Sequence, residues 1–233
     1  MPKTTHPSDG RRDQIVEATL MLIANRGTRG ATTKAIAKAC GISEGALYRH
    51  IESRDQLLSL VVDRIGAGLT ENLRRVERTP GTALDALEAL FLDQVTFLEG
   101  HRGVPRLAFS EDVHLHRSDL RIQMAINAEV YFGRIRVLAE AGQRTGCIRP
   151  DVHPETVATL LMGAIQALAV RWSLTGFRLN LAERACSAWE GLRALIAATA
   201  AHDAHSPCGV RVQERECPLC NVRRGALKGC GVS

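Results

Sequence analysis

The chain has 233 residues, of which 45% are hydrophobic and 24% charged, and its formal net charge is +5. This length allows one large domain or two smaller ones with a sizeable core, and the composition is ordinary for a soluble globular protein. No apolar signal-peptide core follows Met1, and the most apolar run, VATLLMGAIQALAV at 157–170, is too short to span a bilayer. We therefore expect a cytoplasmic protein.

The positive charge is concentrated at the two ends of the chain. Residues 1–64 carry ten Lys and Arg against seven Asp and Glu, residues 65–201 carry fifteen of each, and residues 202–233 carry five against three. A mildly basic N-terminal region suits a polyanionic partner, although a solvated surface would have the same charge.

The first 65 residues are predicted to form four helices after an N-terminal arm at 1–10. Apolar residues at helical spacing predict the first helix over 12–25. Two short helices follow over 34–39 and 44–50, and the fourth begins after the capping-box sequence that starts at Ser53.

The larger remainder, 66–201, is also predicted to be helical. Thr79-Pro80 is a typical helix start, and longer helices are predicted over 117–144, 154–175 and 180–201. No alternating strand pattern occurs, so the fold class is predicted to be all-α. Residues 202–233 are rich in Gly, Cys and Arg and are interpreted as a separate tail.

The two short helices and the turn at Gly41 predict a helix-turn-helix. Gly adopts the left-handed conformation that such a turn needs, and the second helix would present its N-terminal residues to base edges in the major groove. An ordinary helical hairpin without a nucleic-acid role has the same local pattern. The predicted DNA-binding residues are Thr33, Lys34, Ser43, Glu44, Gly45, Ala46, Tyr48, Arg49, His50 and Arg54.

A wider stretch, QIVEATLMLIANRGTRGATTKAIAKACGISEGALYRHIESRDQLLSLVVDRI, closely resembles the DNA-binding domain of the TetR/AcrR family of bacterial transcriptional regulators. The resemblance covers about residues 11–65 and implies a helix-turn-helix domain at 11–65 followed by a helical ligand-binding and dimerisation domain at 66–201. The family usually has Phe at the position of Ile51 and Lys at that of Arg54, where Arg keeps a cation near the DNA backbone.

The helix near 154–175 is apolar on nearly every side, which predicts that it faces both its own core and a second surface. The resemblance implies that this surface is the same helix of a second subunit and that the last helix completes a four-helix interface. The alternative is a core helix within one chain. The predicted interface residues are Leu160, Ala164, Leu168, Trp189, Leu192 and Ile196.

The resemblance also implies a small-molecule pocket between the middle helices. Candidate pocket residues are the aromatic and sulfur-containing side chains Phe91, Phe97, Phe109, Met124, Tyr131 and Trp172. An aromatic at helical spacing is more often plain core than ligand wall, so core packing is the alternative for each. The segment SEDVHLH could hold a metal ion or a polar ligand, but a polar connection between helices is the favoured interpretation.

The tail contains a Cys-x2-Cys pair, Cys217 and Cys220, flanked by Cys208 and Cys230. Four thiolates could bind one Zn²⁺ or a softer ion. A complete structural zinc motif usually has two such pairs, so a thiol redox switch and an inert tail stay open as alternatives. No other cofactor is predicted.

The function that we predict is a DNA-binding transcriptional regulator, not an enzyme. It would be a homodimeric repressor on a palindromic operator, released by a small-molecule or metal effector. The alternative is a TetR-like architectural or division-control protein that binds DNA without a small ligand. An enzyme that uses the tail is disfavoured, because the chain lacks a Ser/His/Asp order and a phosphate-binding loop in a strand–helix context.

Overall fold

The computed structural model describes residues 7–78 and 80–198, and within them the chain is helical, as predicted. The Cys-rich tail and its four predicted metal ligands lie outside the described residues. The helices are α1 (Pro7–Gly30), α2 (Thr33–Ala39), α3 (Glu44–Leu47), α4 (Arg54–Glu77), α5 (Ala83–Gly100), α6 (Gly103–Ala108), α7 (Ser118–Arg144), α8 (Pro154–Leu174) and α9 (Leu181–Ile196), with a π-helical turn, the π-turn, at Asp112–His116.

Several helix ends differ from the predicted ones. Helix α1 begins at Pro7, inside the predicted arm, with proline at a position where its missing N–H costs nothing. Helix α5 begins three residues after Pro80 because Thr82 and Asp85 form a reciprocal capping box there. Helix α9 ends at Ile196 rather than at 201.

The three N-terminal helices enclose a small apolar core. Ile15, Ile23, Ile36 and Leu47 are fully buried in it. Gly27 interrupts α1 with a φ of 72°, a backbone conformation that glycine adopts at little cost, so the end of α1 turns toward α2.

In the larger helical part, α5 is the central helix and packs against α4, α7, α8 and α9. Its residues Leu87, Leu90, Phe91 and Val95 are completely buried. Helix α8 is the one described helix long and apolar enough to cross a membrane by length and composition. A core helix passes the same test, and α8 packs against α7, α9, α5 and α6.

The two parts meet where α1 packs against α6. Gly103 lies so close to α1 that a Cβ atom there would be 2.2 Å from the carbonyl oxygen of Leu20. Beside this contact, the carboxylate of Glu17 pairs with Arg64 at 3.3 Å and with the His101 ring at 3.6 Å. The junction therefore depends on a backbone approach that only glycine permits.

Replacing Gly103 with Ala should push α6 away from α1, because the atom that it meets belongs to the backbone and cannot rotate aside. We expect a loss of about 1–3 kcal/mol in the free energy of unfolding, measured by denaturant titration. Gly133→Ala in α7 is the control, since a Cβ there meets nothing within 4 Å. It should be neutral or stabilising by up to about 1 kcal/mol. Equal stability of the two variants would contradict the close-contact interpretation.

Candidate DNA-binding surface and ligand cavity

The helix-turn-helix is held by local hydrogen bonds at both helix starts. The Thr32 hydroxyl accepts the backbone N–H of Ala35 at 3.2 Å, and the Ser43 hydroxyl accepts that of Ala46 at 3.1 Å. Gly41 has a φ of 66°, the left-handed value that the turn requires. Ala37, which is 2% exposed, lies where α2 packs against its neighbours. The predicted reason for small residues here is thus confirmed.

Helix α3 is shorter than predicted. Its α-helical part ends at Leu47, and the N–H groups of Arg49 and His50 bond to carbonyls three residues back. Such bonds tighten a last turn. The outer side of α3 and this turn is solvent-exposed, with Tyr48 49% exposed. The exposed predicted DNA-binding residues are Lys34, Ser43, Glu44, Gly45, Tyr48 and Arg49, while Thr33, Ala46, His50 and Arg54 are half-buried.

Three of the predicted DNA-binding residues have partners inside the protein. The Thr33 hydroxyl donates to the carboxylate of Glu44, which joins the first turns of α2 and α3. Arg54 donates from Nη2 to the carbonyl oxygen of Thr28 at 2.8 Å and lies 4.0 Å from the carboxylate of Asp112. Arg54 therefore takes part in the contact between the two parts of the protein, and its role as a phosphate ligand stays a prediction.

An apolar cavity of about 350 Å³ lies between α4, α5, α6, α7 and α8. Ile65, Leu98 and Ile165 are among the apolar side chains that line it. Of the predicted pocket residues, Phe109, Met124 and Tyr131 line this cavity.

The other three predicted pocket residues are core residues elsewhere. Phe91 is completely buried against Trp189, with 5.9 Å between ring centroids. Phe97 stacks on His101 and covers Gly68 in α4. Trp172 meets Phe177 edge-on. Aromatic spacing alone could not separate a cavity wall from the core, because both positions are shielded from water.

The π-turn forms one end wall of the cavity and is attached to the first turn of α4. Val113 and His114 of the π-turn line the cavity. Directly after the π-turn, Arg117 donates to Asp55 of α4 at 2.6 Å and to Asp119 at 3.0 Å. The hydrogen bond to Asp119 is the main reason why the pKa of Arg117 is raised. With the Arg54–Asp112 contact, two ion pairs cross between the wall and α4.

The segment SEDVHLH connects α6 to α7 and includes the π-turn. The ring Nε2 of His114 lies 2.8 Å from the carbonyl oxygen of Ala108. Within the part of the chain that the structure describes, no three His, Cys, Asp or Glu side chains gather as a metal site would require.

Most of the predicted dimer residues are buried within their own chain. Leu168, Trp189, Leu192 and Ile196 are at most 8% exposed, and Ala164 is half-buried. Only Leu160 is exposed. The outward sides of the two helices carry small and apolar residues instead, namely Leu160, Gly163, Ala167 and Leu174 on α8 and Ser187, Gly191, Ala194 and Leu195 on α9. We name this set the α8/α9 face.

Three residues at the cavity and its wall were not anticipated from the sequence. Arg117 and Asp55 are ordinary charged residues until the fold brings them together. Gln94, which lines the cavity, was also missed. Its signal was the polar pair Asp93-Gln94 directly after the apolar run ALFL of this helix.

The profile described as "Bacterial regulatory proteins, tetR family" matches residues 15–61, the region that forms the helix-turn-helix. Residues 15–61 are thus a DNA-binding domain of the TetR type. With this N-terminal helix-turn-helix domain and the larger helical domain behind it, the chain has the architecture of a DNA-binding transcriptional regulator.

Two curated relatives illustrate the range of the family. The nucleoid occlusion factor SlmA of Haemophilus ducreyi is 28% identical over 116 residues, which cover 49% of this chain and only 57% of that protein. The HTH-type transcriptional repressor KstR2 of Rhodococcus jostii is 29% identical over 177 residues, or 74% of this chain and 84% of the repressor.

Solved structures share the whole fold. The ketosteroid transcriptional regulator KstR2 of Mycobacterium tuberculosis superposes with a TM-score of 0.69 at 20% identity, covering 81% of this chain and 96% of that one. FadR of Bacillus subtilis, solved in complex with stearoyl-CoA, gives a TM-score of 0.64 at 19% identity over 77% and 96% of the two chains. At these identities the likeness concerns the fold.

Arg49→Ala should weaken binding to every DNA sequence, because we expect the exposed guanidinium beside α3 to contact a phosphate rather than one base. We expect the slope of log affinity against log salt to fall by about 0.9, the value of one phosphate contact. Fluorescence anisotropy at several salt concentrations measures both the affinity for DNA and the slope of its salt dependence. Arg136→Ala, an exposed Arg on α7, is the control and should change neither. An unchanged slope in Arg49→Ala would show that α3 does not lie on the DNA as inferred.

Proposed function

We propose that the protein is a homodimeric repressor in the cytoplasm, released from a palindromic operator when a small molecule enters the cavity between α4 and α8. The observation that carries this proposal is the attachment of the cavity wall to the first turn of α4. The wall and the DNA-binding domain share ion pairs, so a ligand that moves the wall changes the position of the helix on which the domain is mounted.

The physical requirement is a ligand with different affinities for two arrangements of the dimer. A hundred-fold difference corresponds to about 2.7 kcal/mol and would move a balanced equilibrium almost completely. The π-turn supports such a change, because π-helical turns have weaker local geometry than α-helix and often occur at functional sites. Its residues Asp112 and His114 contact α4 and α6 respectively.

A second candidate function follows from the SlmA relatives, whose name describes nucleoid occlusion. A protein that acts on DNA without a small ligand needs no internal cavity. The apolar cavity of about 350 Å³ in this chain therefore favours the ligand-responsive regulator.

The function is tested by selecting DNA from a random pool with the full-length protein. We expect a two-fold-symmetric sequence, because an isologous dimer reads two equivalent half-sites. Asp55→Asn, Arg117→Gln and the double variant are then titrated against the selected DNA. Each single change should weaken binding several-fold, and the double change should weaken it no further, since either one already breaks the shared ion pair.

Arg74→Gln is the control for this cycle, because Arg74 pairs only locally with Glu71 at 3.9 Å on the surface of α4. It should bind the selected DNA as the wild type does. Selection of no specific sequence would contradict the regulator. Strictly additive effects of the two single changes would contradict the proposed route from the cavity wall to α4.

The dimer is proposed to form through the α8/α9 face. Small residues let helices approach closely, and a Cβ added at Gly163 or Gly191 meets nothing within 4 Å in the single chain. The neighbouring buried residues, such as Leu168, pack in the core of their own chain beneath this face and do not form the proposed contact with the second subunit.

Ala167→Glu places a charge on the α8/α9 face and should give a folded monomer. A cooperative thermal unfolding transition of this variant would show that the monomer is folded. Leu168→Glu should instead unfold the chain, because that side chain is 7% exposed and its charge would be buried without a partner. Ala67→Glu on the exposed side of α4 is the matched control. Light scattering gives the mass, and a dimeric Ala167→Glu protein would exclude this face.

A further inference from the structure

The polar groups of the cavity are few and unevenly placed. Its lining residues with polar side chains are Gln94, His114, Arg121, Asn127, Tyr131 and Gln166. No Asp or Glu is among the described residues that line it. A ligand therefore meets an apolar wall with a small number of hydrogen-bonding groups. Whether each of these groups donates or accepts determines whether the ligand must carry an acceptor or a donor opposite it.

The orientation of the Gln94 amide follows from a chain of three side chains. Arg75 donates from Nη2 to Oδ1 of Asn72 at 3.3 Å, and a guanidinium can only donate. Asn72 must therefore turn its amide nitrogen away, and this nitrogen donates to Oε1 of Gln94 at 3.0 Å. The carbonyl of Gln94 is thereby bonded to Asn72, so the amide nitrogen is the group left to face the cavity that Gln94 lines.

Arg75 is itself held in place, because its guanidinium pairs with Asp93 at 3.4 Å. Asn72 is 2% exposed and Gln94 is 7% exposed, so water does not compete with these bonds. A buried amide whose orientation is fixed in this way turns its N–H, rather than its bonded carbonyl, toward a ligand.

Tyr131, the other buried polar residue of the lining, cannot take the same role. Its hydroxyl donates to the carbonyl oxygen of Leu90 at 3.0 Å. Burial raises the pKa of Tyr131 well above its ordinary value, and the carboxylate of Asp93 raises it further, so the phenol keeps its proton. Because that proton is already committed, Gln94 supplies the inner donor of the cavity.

The opposite end of the cavity carries a cation. Helices α4 and α7 run in the same direction, because residues that come later in α4 contact residues that come later in or beside α7. The contacts are Asp55 with Arg117, Gly66 with Asn127, and Glu77 with Arg134. Arg121 therefore lies at the end next to the DNA-binding domain, and Tyr131, with Gln94, lies at the far end. The ten residues from Arg121 to Tyr131 span about 15 Å of helix.

We propose that the ligand of this cavity is an elongated apolar molecule of about 15 Å that carries a hydrogen-bond-accepting oxygen at its inner end, bound by the Gln94 amide, and a carboxylate or similar anion at its outer end, bound by Arg121. This inference rests on the proposed function and names the chemical class of the effector. Gln94 is its specificity-determining residue, because an apolar end would leave the buried amide N–H without an acceptor.

The probes are dodecanoate and 11-oxododecanoate, which have the required length and differ only in an oxygen at the inner end. Their dissociation constants are measured by calorimetry with the full-length protein. The wild type should bind the oxo acid about ten-fold more tightly, the effect of one buried hydrogen bond. Gln94→Met should bind both acids equally, and Arg121→Gln should weaken both by the same factor.

Gln166→Met is the matched control, because it makes the same chemical change at an exposed position of the lining. It should keep the ten-fold preference. A second variant, Asn72→Asp, still accepts a hydrogen bond from Arg75. Its carboxylate has no N–H for Gln94, so the Gln94 amide nitrogen should turn toward Asp and its carbonyl should face the cavity. This variant should lose the preference for the oxo acid and prefer 11-hydroxydodecanoate, which can donate, over dodecanoate.

Equal affinity of the wild type for the two acids would overturn the proposal, as would a preference that survives in Gln94→Met. Failure of the wild type to bind either acid at millimolar concentration would also overturn it. These outcomes are separate from the test of the regulator, since selection of a symmetric DNA sequence uses no ligand. A protein that selects DNA but does not distinguish the acids keeps its proposed function and loses this ligand class.

Discussion

Helix α4 belongs to both halves of the molecule, and the rest of the structure depends on this shared helix. Its 24 residues form a rod of about 36 Å. The first turns contribute Leu57 and Leu58 to the apolar core, and later turns contribute Ile65 and Leu69 to the cavity wall. Because an α-helix bends little along its axis, we expect a displacement of the cavity wall to reach the helix-turn-helix through α4.

The ion pairs at the start of α4 add a second connection beside the helix itself. Arg117 is shielded from water, with a side chain 15% exposed, whereas its partner Asp55 is 72% exposed. A pair of this kind contributes modestly to stability, so its proposed role is to position the wall and not to hold the fold. The close contact of Gly103 with Leu20 has the opposite character, because it is a steric approach of two backbones that holds α1 against α6.

Some polar groups inside the larger domain have hydrogen-bond partners within the protein, and others are left to bond a ligand. The Tyr131 hydroxyl is satisfied by the Leu90 carbonyl. Asn72 is satisfied on both sides, by Arg75 and by Gln94. This leaves one oriented amide nitrogen beside an apolar cavity, which is the arrangement expected of a site that recognises a ligand by few but well-placed hydrogen bonds.

Local spacing, helix capping and the glycine at the turn are sufficient to predict the helical fold and the helix-turn-helix. The boundary predicted at residue 65 falls inside α4, since a continuous helix leaves no local signal where one domain passes into the next. Tertiary structure alone decided that Arg54 contacts Thr28 and Asp112, that Phe91 is core while Phe109 lines the cavity, and that Leu168 faces inward. The physical reason is the same in each case: an apolar or charged side chain has the same local preferences whether its neighbour is core, ligand, DNA or a second subunit, and only the packing of distant helices selects among them.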